Sequence, residues 1–106
     1  MRSTFLEQIE RGDVFVADLD GRVAGFGVLR ADEGVAELDG LFVEPNCWRQ
    51  GVGSALVAEA AHRARRIGLT LAVIAGLDAR GFYERCGFSL EGDAETRFGP
   101  ALRMSR

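Results

Sequence analysis

From Val14 to Val43 the apolar positions recur at the short spacing of extended chain, interrupted twice by turn residues. Val14 to Leu19 reads as a strand. Asp20-Gly21 is a two-residue hairpin signal, since both residue types tolerate the positive φ that such turns require. Arg22 to Leu29 is the returning partner, apolar at Val23, Ala24, Phe26, Val28 and Leu29. Gly25 and Gly27 weaken it as a strand and point to close approach by another backbone. A polar turn, Ala31 to Gly34, leads into a third strand, Val35 to Val43, and the three predict an antiparallel meander. Ahead of them Thr4, with Glu7 three residues on and Gly12 after it, reads as a short capped helix, with Phe5, Leu6 and Ile9 as its apolar face.

After Pro45 the period changes. Val52, Leu56, Val57, Ala60, Ala61, Ala64 and Ile67 fall on one helical stripe, while Ser54, Glu59, His62, Arg63, Arg65 and Arg66 form a polar face. Gly68 is the expected stop, and arginines near that end suit the helix dipole. Leu69 to Ala75 is a continuous apolar run, as expected of a strand buried on both faces. Asp78 can cap a second helix running through Phe82 and Tyr83 to Arg85, ended by Gly87. Phe88 to Leu90 opens another strand, and Pro100 to Met104 can return beside it. The pattern predicts an α/β fold: a mixed sheet with an N-terminal antiparallel meander, then a β-α-β crossover, then a second helix.

Composition narrows the chemistry. At 106 residues the chain is expected to form one domain, 1–106, with one modest core. It contains no lysine, which excludes a Walker-type phosphate loop and catalysis through a lysine Schiff base. A net charge of −3 argues against a phosphate-dominated nucleic-acid surface. Two cysteines, Cys47 and Cys86, and one histidine, His62, are too few for a disulfide scaffold or a zinc site, so no metal is expected. Apolar runs fall short of the ~18 residues of a membrane span, and Met1 to Gly12 lacks an apolar signal-peptide core. A cytoplasmic location, with no membrane partner, is the expectation.

The chemically informative stretch is Leu41 to Leu56. A strand ends at Leu41-Phe42-Val43, a turn follows through Pro45-Asn46-Cys47, and Trp48-Arg49-Gln50-Gly51-Val52-Gly53-Ser54 opens the long helix. A glycine-rich turn at a helix start presents free backbone amides at the positive end of the dipole, which suits phosphate or pyrophosphate. Glycine at 51 and 53 lets a ligand approach without meeting a Cβ, and Arg49 adds a positive charge. A dinucleotide fold would need a third glycine where Leu56 stands, and an acidic residue ending the next strand, which here ends Val73-Ile74-Ala75.

This segment resembles the acyl-coenzyme A motif of the GNAT superfamily of N-acetyltransferases, in which a strand ending V-x-P leads to R/Q-x-x-G-x-G/A and a long helix. Val43-Glu44-Pro45 matches the strand end and Gly51 and Gly53 the glycines, while Trp48 stands at the leading Arg/Gln position. A second block, Ala79-Arg80-Gly81-Phe82-Tyr83-Glu84-Arg85-Cys86-Gly87-Phe88, is similar to the family's A-x-x-F-Y-E-x-x-G-F signature, with Gly76 where an asparagine is often found. The resemblance covers Val14 to about Leu90, and the family's first strand and most of its first helical region are expected to have no counterpart.

The resemblance implies acetyl-CoA as cosubstrate and a primary amine as acceptor, joined by direct attack in a ternary complex. It implies cofactor contacts at Leu41, Phe42 and Val43, where the pantetheine arm would pair, and at Arg49, Gln50, Gly51, Val52, Gly53 and Ser54, whose amides would hold the pyrophosphate. Ala79 and Phe82 complete that set. Tyr83 would protonate the leaving thiolate, and Glu37 would serve as general base, with Asp39 or water as rivals. Trp48 reads either as a packing lid or as a stacking surface for adenine. A non-catalytic GNAT-like module that holds coenzyme A or a partner is the alternative. A homodimer is expected, because the sheet edge beginning at Val14 has no evident cover.

Overall fold

The structure, a computed structural model, describes residues 8–9 and 13–106, with side chains from Val14 onward. Strands β1 (Gln8–Ile9), β2 (Asp13–Leu19), β3 (Arg22–Asp32) and β4 (Val35–Val43) are followed by helix α1 (Val52–Arg66) and strand β5 (Thr70–Gly76). Helix α2 (Arg80–Arg85) and the hairpin β6 (Ser89–Thr96) and β7 (Gly99–Ser105) complete the chain. Among the described residues one seven-stranded sheet runs in the order β1-β2-β3-β4-β5-β7-β6. All neighbours are antiparallel except β4 and β5, which the crossover through α1 makes parallel. The mixed α/β architecture expected from the sequence is the one observed.

The meander follows its turn chemistry. Asp20 and Gly21 have φ of 55° and 83°, and Glu33 and Gly34 have 42° and 82°, so both hairpins close on two residues of positive φ. Helix α1 lays Val52, Leu56, Val57, Ala60, Ala61 and Ala64 on the sheet, and each of them is buried. Alanines on the helix meet a sheet face of small residues, Ala17, Ala24 and Ala36, which lets the two layers approach closely around Phe15 and Met104. Gly25 belongs to this contact. A Cβ there would collide with the Phe42 carbonyl oxygen and lie 3.2 Å from both Leu56 and the Val43 Cα. At Gly27 the obstacle is different: the Phe15 ring lies 2.7 Å from where the Cβ would be.

Several expectations are corrected. The helix expected from Thr4 to Gly12 falls mostly outside the described residues, but Gln8–Ile9 within it is a strand paired with Asp13 and Val14. Backbone pairing there covers the start of the β2 edge expected to lie open. Ile67 lies beyond α1 and is exposed. Arg63, expected in solvent, has a side chain only 10% exposed; it bonds Glu59 at 2.7 Å and stacks over Phe15 at 4.8 Å. The aliphatic stem and flat guanidinium let an arginine complete an apolar surface in this way. Asp78 does not cap α2. It lies in a short 3₁₀ turn, Leu77–Ala79, and Ala79 takes the cap position without a side-chain bond. In β5, Leu71, Val73 and Ala75 are buried whereas Ala72 and Ile74 are half-buried, so one face is fully covered and the other partly.

Gly25→Ala is expected to destabilise the fold by about 1–3 kcal/mol, because the obstacle is backbone that cannot rotate away. Urea unfolding followed by circular dichroism checks this; a midpoint equal to the parent's would contradict the close contact.

Candidate cofactor and active site

Strands β4 and β5 pair only from Val35 to Leu38 and from Thr70 to Val73. Beyond that point β4 stays with β3, while β5 stays with β7 as far as Gly76, and a cleft opens between them. A bulge marks the place. Val28 faces Gly40 but Leu29 faces Leu38, leaving Asp39 as the extra residue in β4. It shifts the alternation by one. Before it Ala36 and Leu38 face α1; after it Leu41 and Val43 do, and Phe42 turns to the opposite face, where it stacks with Phe26 at 5.6 Å.

The hydrogen-bond phase sets where the backbone points. The amide of Glu44 donates to the Ala24 carbonyl at 2.8 Å, so in this register Phe42 and Gly40 also bond toward β3. The alternate residues Leu41 and Val43 therefore direct their N–H and C=O groups into the cleft. The Val43 carbonyl receives the Trp48 indole N–H there at 3.0 Å.

Helix α1 starts at the mouth of this cleft. Gly51, with φ of 80°, forms its N-cap and supplies no side-chain acceptor. Ala55 is the first helical residue whose amide finds a backbone acceptor, the Gly51 carbonyl at 3.0 Å. The amides of Arg49 through Ser54 have no acceptor among the described residues. Six consecutive unpaired N–H groups at the positive end of a fifteen-residue helix suit a diphosphate. Gly53 supplies the room: a Cβ would lie 3.2 Å from the Phe82 ring and 3.6 Å from Val43.

Together these surfaces enclose a cavity of about 420 Å³. Of the residues expected to contact a cofactor, it brings together Leu41, Val43, Arg49, Gly51, Val52, Gly53, Ser54 and Phe82. Phe42 is turned away by the bulge. The Gln50 side chain faces a separate polar depression with Asp20, Arg22 and Glu44, its amide 3.3 Å from the Asn46 carbonyl. Ala79 packs against the core instead of the cavity. Cys47, Trp48 and Arg85 also form the wall. Arg85 could have been found from its spacing, since it lies three residues after Phe82 and so on the same helical face.

Glu37 sits on the side of β4 away from α1, half-buried, opposite Arg30 on β3 and Ala72 on β5. It is one residue short of the last β4–β5 pair, at the foot of the cleft, and outside the cavity lining. Its rival Asp39 is held by Arg30 in an ion pair of 3.2 Å. Tyr83 also lies outside the lining. Its ring is 7% exposed and packs edge-on between Phe82 at 5.0 Å and Phe88 at 5.2 Å. Burial, with a smaller contribution from Cys86, pushes its hydroxyl from 10 up to about 12. Among the described residues no three His, Cys, Asp or Glu side chains gather as metal ligands, and no helix is long and apolar enough to cross a membrane.

The raised Tyr83 value is open to direct titration, because this is the chain's one tyrosine. Tyrosinate absorbance in the folded protein should appear near pH 12, and a midpoint near 10 would contradict the burial. A folded value above the unfolded one means that the stabilisation is complete below pH 10. It is lost as pH rises through 12, amounting to about 2–3 kcal/mol. In Tyr83→Phe that part of the alkaline limb should vanish.

Comparison with known proteins agrees with this geometry. The model of the acetyltransferase (GNAT) family matches residues 2–88. Nourseothricin acetyltransferase is 29% identical, with a TM-score of 0.80 over 90% of this chain and 64% of its own. The ribosomal-protein-S18-alanine N-acetyltransferase of Escherichia coli is 27% identical, with a TM-score of 0.77 over 92% of this chain and 70% of its own. A Bacillus subtilis acetyltransferase in complex with CoA, 21% identical, shares the fold with a TM-score of 0.82 over 92% of this chain and 77% of its own. Against nourseothricin acetyltransferase, then, this chain spans less than two thirds of the relative's length. Curated proteins give no match. With the family match extending over most of the sequence and the cleft, bulge and glycine turn in one site, the chain belongs to the acetyltransferase (GNAT) family.

Proposed function

We propose that this protein is an N-acetyltransferase that moves the acetyl group of acetyl-CoA to a primary amine within a ternary complex. The observation that carries the reading is the run of unpaired amides from Arg49 to Ser54, facing a cavity whose other wall is the open edge of β4. The complex of CoA with the Bacillus subtilis acetyltransferase, a protein of the same fold, supports the choice of ligand.

Acetyl-CoA supplies an acyl group activated as a thioester. The Arg49–Ser54 amides hold its pyrophosphate, and Leu41 and Val43 offer backbone groups to the pantetheine arm as a neighbouring strand would. The Val43 amide is aimed to polarise the thioester carbonyl as the amine nitrogen bonds to its carbon. Glu37, or water beside it, takes the ammonium proton from the face away from α1. Tyr83, protonated across the neutral range, donates to the sulfur as the carbon–sulfur bond breaks and coenzyme A leaves as the free thiol.

A second reading, a module that binds coenzyme A without catalysis, is favoured by one observation: Tyr83 packs behind Phe82 and not on the cavity wall. Free-thiol release from acetyl-CoA with a panel of amines separates the two. Amine-dependent release supports transfer; calorimetric binding without release supports the module. Tyr83→Phe is expected to lower kcat by roughly 10²–10⁴-fold with cofactor affinity little changed, and an unchanged kcat would leave Tyr83 a packing residue. Glu37→Gln should flatten the rising limb of the pH–rate profile, and an identical profile would assign that proton to water. Gly53→Val should push Phe82 across the cavity and weaken coenzyme A binding by roughly tenfold or more. A folded variant with full affinity would remove the glycine turn from the site.

A further inference from the structure

The protein as a whole is acidic, yet among the described residues its candidate cofactor cavity is lined by two arginines, Arg49 and Arg85, and no carboxylate. Neither arginine has an ion pair among the described residues, whereas Arg30, Arg63 and Arg80 each do. The two reach the cavity from different walls. Arg49 belongs to the turn whose amides await a diphosphate, and Arg85 belongs to α2 on the other side of Phe82 and Gly53.

A second feature accompanies Arg85. Gly81 stands inside the six-residue α2, where glycine disfavours the helix relative to alanine by about 1 kcal/mol. Its φ is not positive, so no backbone requirement explains it. The space a side chain would fill is occupied instead: a Cβ at Gly81 would lie 3.3 Å from the Arg85 Nη1. The arginine folds back one turn along α2, toward the helix end that carries Phe82 against Gly53. Side chains on a helix lean toward its N-terminus, and glycine four residues earlier leaves that path clear.

We propose that Arg85, laid across Gly81 into the cavity, recognises a phosphomonoester at the nucleotide end of the cofactor. In coenzyme A this is the ribose 3′-phosphate, so the chain selects the cofactor over its 3′-dephospho form. The inference rests on the acetyl-CoA reading and deepens it. The diphosphate is matched by the amides and dipole of α1. A monoester carries a further charge of roughly −1.5 to −2 at neutral pH, which calls for a separate cation in a fork geometry. Gly81 is a positioning residue and does not touch the ligand.

Calorimetric titration at fixed ionic strength with coenzyme A and with 3′-dephospho-CoA tests this. The parent protein should prefer coenzyme A by roughly tenfold to a hundredfold, the worth of one charge-assisted contact. Arg85→Gln should bring the ratio close to one by weakening coenzyme A. Gly81→Ala should raise the melting temperature and still lower the ratio, which a purely structural glycine would not do. Arg66→Gln, on the exposed end of α1, should leave the ratio at the parental value. A parental ratio in Arg85→Gln overturns the proposal, as does an equal fall in Arg66→Gln, which would make the effect one of net charge. If coenzyme A and its dephospho form both bind but with equal affinity in the parent, only this inference fails. If neither binds, the cofactor reading fails with it.

Discussion

Everything in the site depends on the point where β4 and β5 stop pairing. Up to Leu38 and Val73 the two strands share a parallel ladder; past it they serve different neighbours. Buried or cleft-facing backbone groups need partners, and the free edge of β4 at Leu41 and Val43 supplies donors and acceptors in the spacing of a strand. An extended ligand with amides of its own meets that requirement, which an apolar pocket would not. The bulge at Asp39 is part of the same constraint. It turns Leu41 and Val43 toward α1 at the residue where the cleft begins, so the apolar side chains that form the cavity floor and the polar backbone that lines its edge come from the same two positions.

The second element is the distance between α1 and the sheet. Alanines on the helix and small residues beneath it bring the two layers close, and Gly25 allows β3, the Val43 backbone and Leu56 to meet. That close docking fixes the start of α1 beside the strand end. The loop that bridges them uses Gly51 in a left-handed conformation, so the chain enters the helix without a side-chain cap and leaves its amides for a ligand. A capping serine or aspartate at that position would strengthen the helix and fill the site. On the proposed reading local stability yields there to binding, as expected where a sequence departs from its own structural rules.

Much of this was legible in the chain. The Asp20-Gly21 turn, the change of period after Pro45, the buried stripe of α1 and the glycine turn before it all follow from local chemistry, because each depends on residues close in sequence. What was not legible depends on partners far apart. Simple alternation from Ala36 and Leu38 puts Phe42 on the cavity side; only pairing with β3 reveals the bulge that reverses it. Arg63 looks like a solvent residue until Phe15, nearly fifty positions earlier, offers it a ring. Gln8–Ile9 gave a helical pattern, and the neighbouring β2 edge overrode it. Gln50 sits among the motif residues, yet its side chain leaves the cavity for the depression beside the first hairpin turn.

The central claim is that unpaired main-chain amides, and not side chains alone, form the cofactor site. Amide chemical shifts measured during titration with coenzyme A test it residue by residue. The account predicts saturable shifts at Arg49 through Ser54, and at Leu41 and Val43 on the open strand edge. The amides of the outer strand β6 should remain unmoved. Saturable binding that leaves Arg49 to Ser54 in place and shifts a different surface would contradict it.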